Sequence, residues 1–218
     1  MLSRAKDPTP SVDYEGARQY AFSLLEHGLI TELHYHSAAH TCTDVVLAVE
    51  RLAKLEGVTG QDLILLKTAA CYHDLGFLDV KGTTPEDNRR REQHEARSVE
   101  FAQEILPRFG YNPAQLQVIC DMIRATRIPQ SPHTLLEKIL ADADLDSLGR
   151  EDFWERSFAL RKELDCFGMT FTEKEWYIGQ LNFQKTHRYF TNAARQLRDA
   201  GKERYIKEIL QWLADVRV

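Results

Sequence analysis

The chain has 218 residues and a formal net charge of -5, from 28 basic and 33 acidic side chains. That length suffices to bury one sizeable core and sits just above the usual single-domain span of about 100 to 200 residues. The charge offers no uniformly positive surface to a phosphate backbone, which argues against nucleic acid as a partner.

Cys42, Cys71, Cys120 and Cys166 are far apart and form no Cys-x-x-Cys pair, so they read as small buried hydrophobes in a reducing compartment. No apolar run approaches the roughly 20 residues that span a bilayer, and the first residues lack a signal-peptide stretch. The expectation is a soluble, cytoplasmic protein that does not engage membranes.

Apolar residues recur at a spacing near 3.6 along the whole chain, with no alternating run long enough for a strand, which predicts an all-α fold. The first helix is expected over about 13–27 before Gly28, and the second over about 37–56 before Gly57, each glycine supplying a left-handed terminus. Further helices are expected at about 61–75, 92–109, 113–125 and 134–148. The stretch from Asp79 to Gln93, rich in Gly, Thr, Pro and charge, is expected as a polar loop. The last third is expected as helices near 151–165, 172–186, 188–200 and 202–215, with a capping box at Thr172-Glu173-Lys174-Glu175. One domain over 1–218 is expected, with a core at about 33–149 and a helical extension over about 150–218.

Three elements point to chemistry. In Tyr35-His36-Ser37-Ala38-Ala39-His40, two imidazoles four residues apart would project from one helix face. Either both bind one ion, or one binds while the other works beside it. In Ala69-Ala70-Cys71-Tyr72-His73-Asp74-Leu75-Gly76, an apolar helix ends in an imidazole beside a carboxylate. Ionising that Asp in apolar surroundings costs several kcal/mol unless a cation or strong donors compensate. In Ile139-Leu140-Ala141-Asp142-Ala143-Asp144-Leu145-Asp146, carboxylates again interrupt an apolar helix. Two imidazoles and two carboxylates form a mixed N/O donor set suited to a divalent metal such as Mn, Mg, Fe, Co, Ni or Zn.

These residues resemble the HD superfamily of metal-dependent phosphohydrolases, whose pattern is a His, a His-Asp pair and a later Asp on separate helices. The resemblance covers roughly Leu33 to Gly149. It implies an HD-type helical bundle in which His40, His73, Asp74 and Asp144 hold metal, with Asp142 the alternative to Asp144. Those two aspartates point about 200° apart on a helix, so one of them reaches the ion. The segment around His36 also resembles the Tyr-His-Asn-x-x-His of cyclic-nucleotide phosphodiesterases, with Ser37 in the Asn position, which implies that His36 acts as general acid. His94 stands where binuclear members place a further histidine. The next histidine of such members is absent, Thr126 standing there.

The function implied is hydrolysis of a phosphate ester by metal-activated water, Asp74 orienting the water and His36 protonating the leaving oxygen. The expected partner is a small phosphoester, above all a nucleotide, with Arg124 contacting its phosphate. A homo-oligomer is left open. The alternative is a catalytically silent sensor of the same fold that keeps metal and nucleotide binding without turnover.

Overall fold

A computed structural model describes residues 12–215 of the chain. Ten α-helices and four short helical turns make up its secondary structure, with no strand among the described residues. The centre of the molecule is a helix whose sequence, Gly60-Gln-Asp-Leu-Ile-Leu-Leu-Lys-Thr-Ala-Ala-Cys-Tyr72, carries apolar residues on every side, as a helix surrounded by others must.

In chain order the helices are α1 (Tyr14–Gly28), α2 (Val46–Leu55), α3 (Gly60–Tyr72), α4 (Pro85–Glu92), α5 (His94–Ile105), α6 (Pro113–Ala125) and α7 (Leu135–Asp144). They are followed by α8 (Phe153–Cys166), α9 (Glu173–Thr186) and α10 (Asn192–Asp215). Helix α3 packs against α1, α2, α5, α6 and α7. All its residues from Leu65 to Tyr72 except Lys67 are buried. Its last turn therefore delivers His73 and Asp74 to the middle of the bundle.

The hydrophobic core is continuous from Ala17 in α1 to Tyr205 in α10, so the C-terminal helices share it. They are fastened to α7 by two buried carboxylates. Asp142 accepts hydrogen bonds from the backbone N–H groups of Phe190 and Thr191 and from the Thr191 hydroxyl, at 2.7 to 2.8 Å. Asp146 pairs with Arg198 at 2.6 Å and with Arg51 at 2.8 Å.

Some boundaries differ from the sequence-based expectation. The predicted loop contains α4, initiated by a capping box in which Thr84 and Asp87 satisfy each other's backbone, with Pro85 at the first helical position. Its charged faces leave no apolar stripe to betray it. Gly57 does turn left-handed (φ 74°), whereas Gly28 remains the last residue of α1.

The two helices expected over 188–200 and 202–215 are one 24-residue helix, α10, which runs through Gly201. That glycine marks a close crossing rather than a helix end. A Cβ there would lie 2.0 Å from the carbonyl oxygen of Gly149, and one on Gly149 would lie 2.3 Å from that of Arg198.

No helix among the described residues is long and apolar enough to cross a membrane. Cys42, Cys71 and Cys120 are buried and Cys166 is half-buried, all as free thiols.

Candidate metal centre

The helical run that leads into α2 begins just after Ser37, whose hydroxyl caps it by accepting from the backbone N–H of His40 at 3.2 Å. His40 opens a π-helical stretch, His40–Val45, inside this run. Such single π turns recur at functional sites. His36 precedes the cap, so it lies outside the helix and the two imidazoles do not share a helix face as expected. They are nonetheless close, with ring centroids 6.1 Å apart.

His73 ends α3 and Asp74 leads into the 3-10 turn Leu75–Asp79. The chain can turn there because Gly76 has no side chain: a Cβ at that position would lie 1.9 Å from the carbonyl oxygen of His94. The same contact brings His94, at the start of α5, up to Asp74. Asp144 arrives from the last residue of α7.

His40, His73 and Asp74 are buried, and their ligand atoms lie within 4.8 Å of one another. His73 Nε2 is 3.3 Å from Asp74 Oδ2 and 3.3 Å from Asp144 Oδ1. His40 Nε2 is 3.8 Å from Asp74 Oδ2 and 3.6 Å from Asp144 Oδ1. The two Nε2 atoms are buried and lack a hydrogen-bond partner among the described residues, a costly condition for polar atoms away from water.

His73 Nδ1 donates to the Ala70 carbonyl at 2.7 Å. A carbonyl only accepts, so the proton of the neutral ring resides on Nδ1 and the Nε2 lone pair is free to face the carboxylates. Thr41 supports Asp74 by donating to Oδ2 at 3.2 Å. The residues therefore fit a divalent cation: His40, His73 and Asp74 could hold it as N/O donors, and Asp144 Oδ1 faces both imidazoles.

The charge balance has the same origin. Burial disfavours the imidazolium of His73, but Asp74 and Asp144 outweigh it and hold its pKa well above the ordinary histidine value. Burial disfavours an ionised Asp74, but His73 above all keeps its carboxyl well below the usual range. Asp144 is likewise lowered against burial, by His40 and His73.

Asp142, the alternative to Asp144, is excluded from this cluster. Its carboxylate is spent on the Phe190–Thr191 backbone, and burial raises its pKa despite those bonds.

His94 Nε2 lies 3.5 Å from Asp74 Oδ1 while its Nδ1 donates to the Arg91 carbonyl at 2.8 Å. Burial lowers its pKa. Phe77 stacks on both His94 and His36, at 4.2 Å between centroids in each case, and the two imidazoles lie 6.0 Å apart. Thr126 lines the same cavity but spends its hydroxyl on the Ile123 carbonyl.

A cavity of about 540 Å³ opens above Asp74 and Asp144, within the usual range for small-molecule sites. His36, Phe77, Arg91, His94, Arg127 and Arg156 line it, and Leu160, Leu164, Trp176 and Phe183 of α8 and α9 form an apolar wall. Arg124 lies outside it: its side chain is half exposed and pairs with Asp121 at 2.8 Å on the outer face of α6. The structure thus does not bring Arg124 to the cavity, whereas Arg91 and Arg127 line it and form no salt bridge among the described residues. Arg156 is paired with Asp44 and Asp152.

Thr41, Arg91, Arg127, Arg156 and Glu163 are polar residues of the site that the sequence-based set did not include. Glu163 of α8 is fully buried against His36. Its only sequence signal is that it shares the inward stripe of Phe153, Leu160 and Phe167.

Residues 41–147 match the family model of the HD domain, and the chain carries an HD domain there. The fold as a whole resembles the crystal structure of a predicted HD superfamily hydrolase from an uncultured Thermotogales bacterium, with a TM-score of 0.54 and 18% sequence identity over 93% of this chain and 91% of that one. No curated protein matches the chain.

Proposed function

We propose that this protein is a metal-dependent phosphohydrolase that cleaves a phosphate ester of a nucleotide or related small molecule. The observation that carries the reading is the pair of buried, unpartnered Nε2 atoms of His40 and His73, directed at Asp74 and Asp144 beneath an open cavity.

His40, His73, Asp74 and Asp144 would hold a divalent cation, which when bound would supply Lewis acidity towards a phosphoryl oxygen and a lowered pKa for water. Asp74, a cavity-lining carboxylate, orients the attacking water. Arg91 and Arg127 bind the phosphate oxygens. Arg91 is half-buried and forms no salt bridge among the described residues, and burial lowers its pKa against the charges of Glu163 and Glu92, a condition that an anionic substrate relieves. His36, stacked on Phe77 with its ring 6.0 Å from that of His94, donates a proton to the leaving oxygen. Leu160, Leu164, Trp176 and Phe183 enclose the remainder of the substrate.

The test is a screen of phosphomonoesters, cyclic nucleotides and dinucleotides with protein loaded with Mn, Mg, Fe, Co, Ni or Zn. Turnover of one class that disappears on chelation is the expected result. Metal-loaded protein that binds a nucleotide but cleaves none of these esters would make it a silent sensor instead.

A further inference from the structure

Glu163 enters the site from α8, and both it and its partner His36 lie outside residues 41–147 of the HD match. Its Oε2 accepts the backbone N–H groups of Tyr35 at 2.9 Å and His36 at 3.1 Å, and its Oε1 lies 2.6 Å from His36 Nδ1. An ionised carboxylate with none of its surface exposed is costly unless donors surround it; here three do. Burial alone would raise its pKa, yet His36 and the two amides bring it below the ordinary Glu value.

A carboxylate only accepts, so His36 Nδ1 carries a proton. The ring plane is fixed by Phe77, stacked at 4.2 Å, and by the edge of Tyr35 at 4.9 Å. His36 Nε2 makes no hydrogen bond to the described residues, and the ring lines the cavity.

We propose that Glu163 is the positioning residue for His36, holding the imidazole with Nδ1 protonated and Nε2 turned to the substrate cavity. The inference rests on the hydrolytic reading above. In that reaction the attacking water forms a new P–O bond while the bond to the leaving oxygen breaks. The leaving oxygen takes the Nε2 proton of the imidazolium, and the proton lost by the water returns to Nε2 through solvent, while Nδ1–H stays on Glu163 throughout.

A carboxylate that merely ties down the Tyr35-His36 loop would affect all substrates alike, whereas one that prepares a proton donor affects those whose leaving group needs a proton. The experiment compares an alkyl or nucleoside monophosphate with para-nitrophenyl phosphate, whose leaving group departs unaided, in the metal-loaded full chain. Glu163→Gln is expected to lower kcat on the alkyl ester about 100-fold with KM little changed, to leave the nitrophenyl ester and the metal content nearly untouched, and to add nothing to His36→Ala. Equal losses on both esters, or additive losses in the double variant, would overturn the proposal.

Nitrogen NMR of histidine-labelled wild type gives a readout that needs neither turnover nor a folded variant. A proton on His36 Nδ1 protected from exchange is expected, and a neutral ring protonated on Nε2 alone would overturn the assignment. If neither ester is cleaved by wild type but the protected Nδ1 proton is present, the hydrolytic reading fails while the Glu163–His36 positioning stands.

Discussion

His73 Nε2 lies 3.3 Å from Asp144 Oδ1, so residues 71 positions apart in sequence meet where the ends of α3 and α7 converge. Two positions earlier on the same helix, Asp142 faces away and holds the start of α10. The two aspartates should therefore respond differently to substitution. Asp144→Asn is expected to weaken metal binding at least tenfold with little change in melting temperature. Asp142→Ala should bind metal normally but lose about 2–4 kcal/mol of stability, because three donors lose their acceptor. Metal titration and denaturant unfolding of both variants check the pair.

Gly76 sets the approach of α5 to the His73-Asp74 turn. Alanine there would place a carbon 1.9 Å from the His94 backbone oxygen, and since a backbone cannot swing aside as a side chain can, Gly76→Ala should cost at least about 3 kcal/mol. Thermal unfolding of Gly76→Ala against Gly179→Ala, where the added carbon meets nothing within 4 Å, isolates the packing effect.

His187 gives the fold a pH dependence away from the metal centre. Burial first, then the nearby charges of Lys202 and Arg188, depress its pKa from 6.5 to about 3. Lys202 Nζ stands 2.8 Å from its Nδ1. The unfolded chain binds a proton here that the folded chain refuses, so this stability is present above pH 6.5 and is lost as pH falls towards 3. The loss should reach on the order of 2 kcal/mol near pH 4.5. Chemical denaturation of wild type and His187→Asn from pH 7 to 4 should show a shallower decline in the variant.

An arginine that lines the cavity and one that lies outside it provide a contrast in substrate binding. Arg91→Ala is expected to raise KM roughly tenfold or more, the loss of one charge-assisted contact of about 1.5–3 kcal/mol. Arg124→Ala, which removes only a solvent-exposed pair with Asp121, should leave KM unchanged. Steady-state kinetics on the best substrate of the screen decide this.

The all-helical fold was legible because apolar residues keep a 3.6 period, and the meeting of His40, His73-Asp74 and Asp144 side chains was expected from their order at helix ends. The choice between Asp142 and Asp144 was not, since either face of α7 could turn inward until the position of α10 is known. Arg124 was misplaced for a similar reason: its number along α6 says nothing about which side of that helix faces the cavity. Gly201 looked like a helix end because a glycine required for φ and one required for close packing are identical in sequence. Glu163 escaped notice because its partner is 127 residues away, and long-range pairs leave no local spacing to read.

The most direct test of the central claim is the metal content of purified protein, wild type against Asp74→Ala, after reconstitution with a divalent cation and removal of the excess. Wild type is expected to retain the ion and the folded Asp74→Ala variant to lose it. Full occupancy in the variant, or none in wild type, would contradict a metal centre built on His40, His73, Asp74 and Asp144.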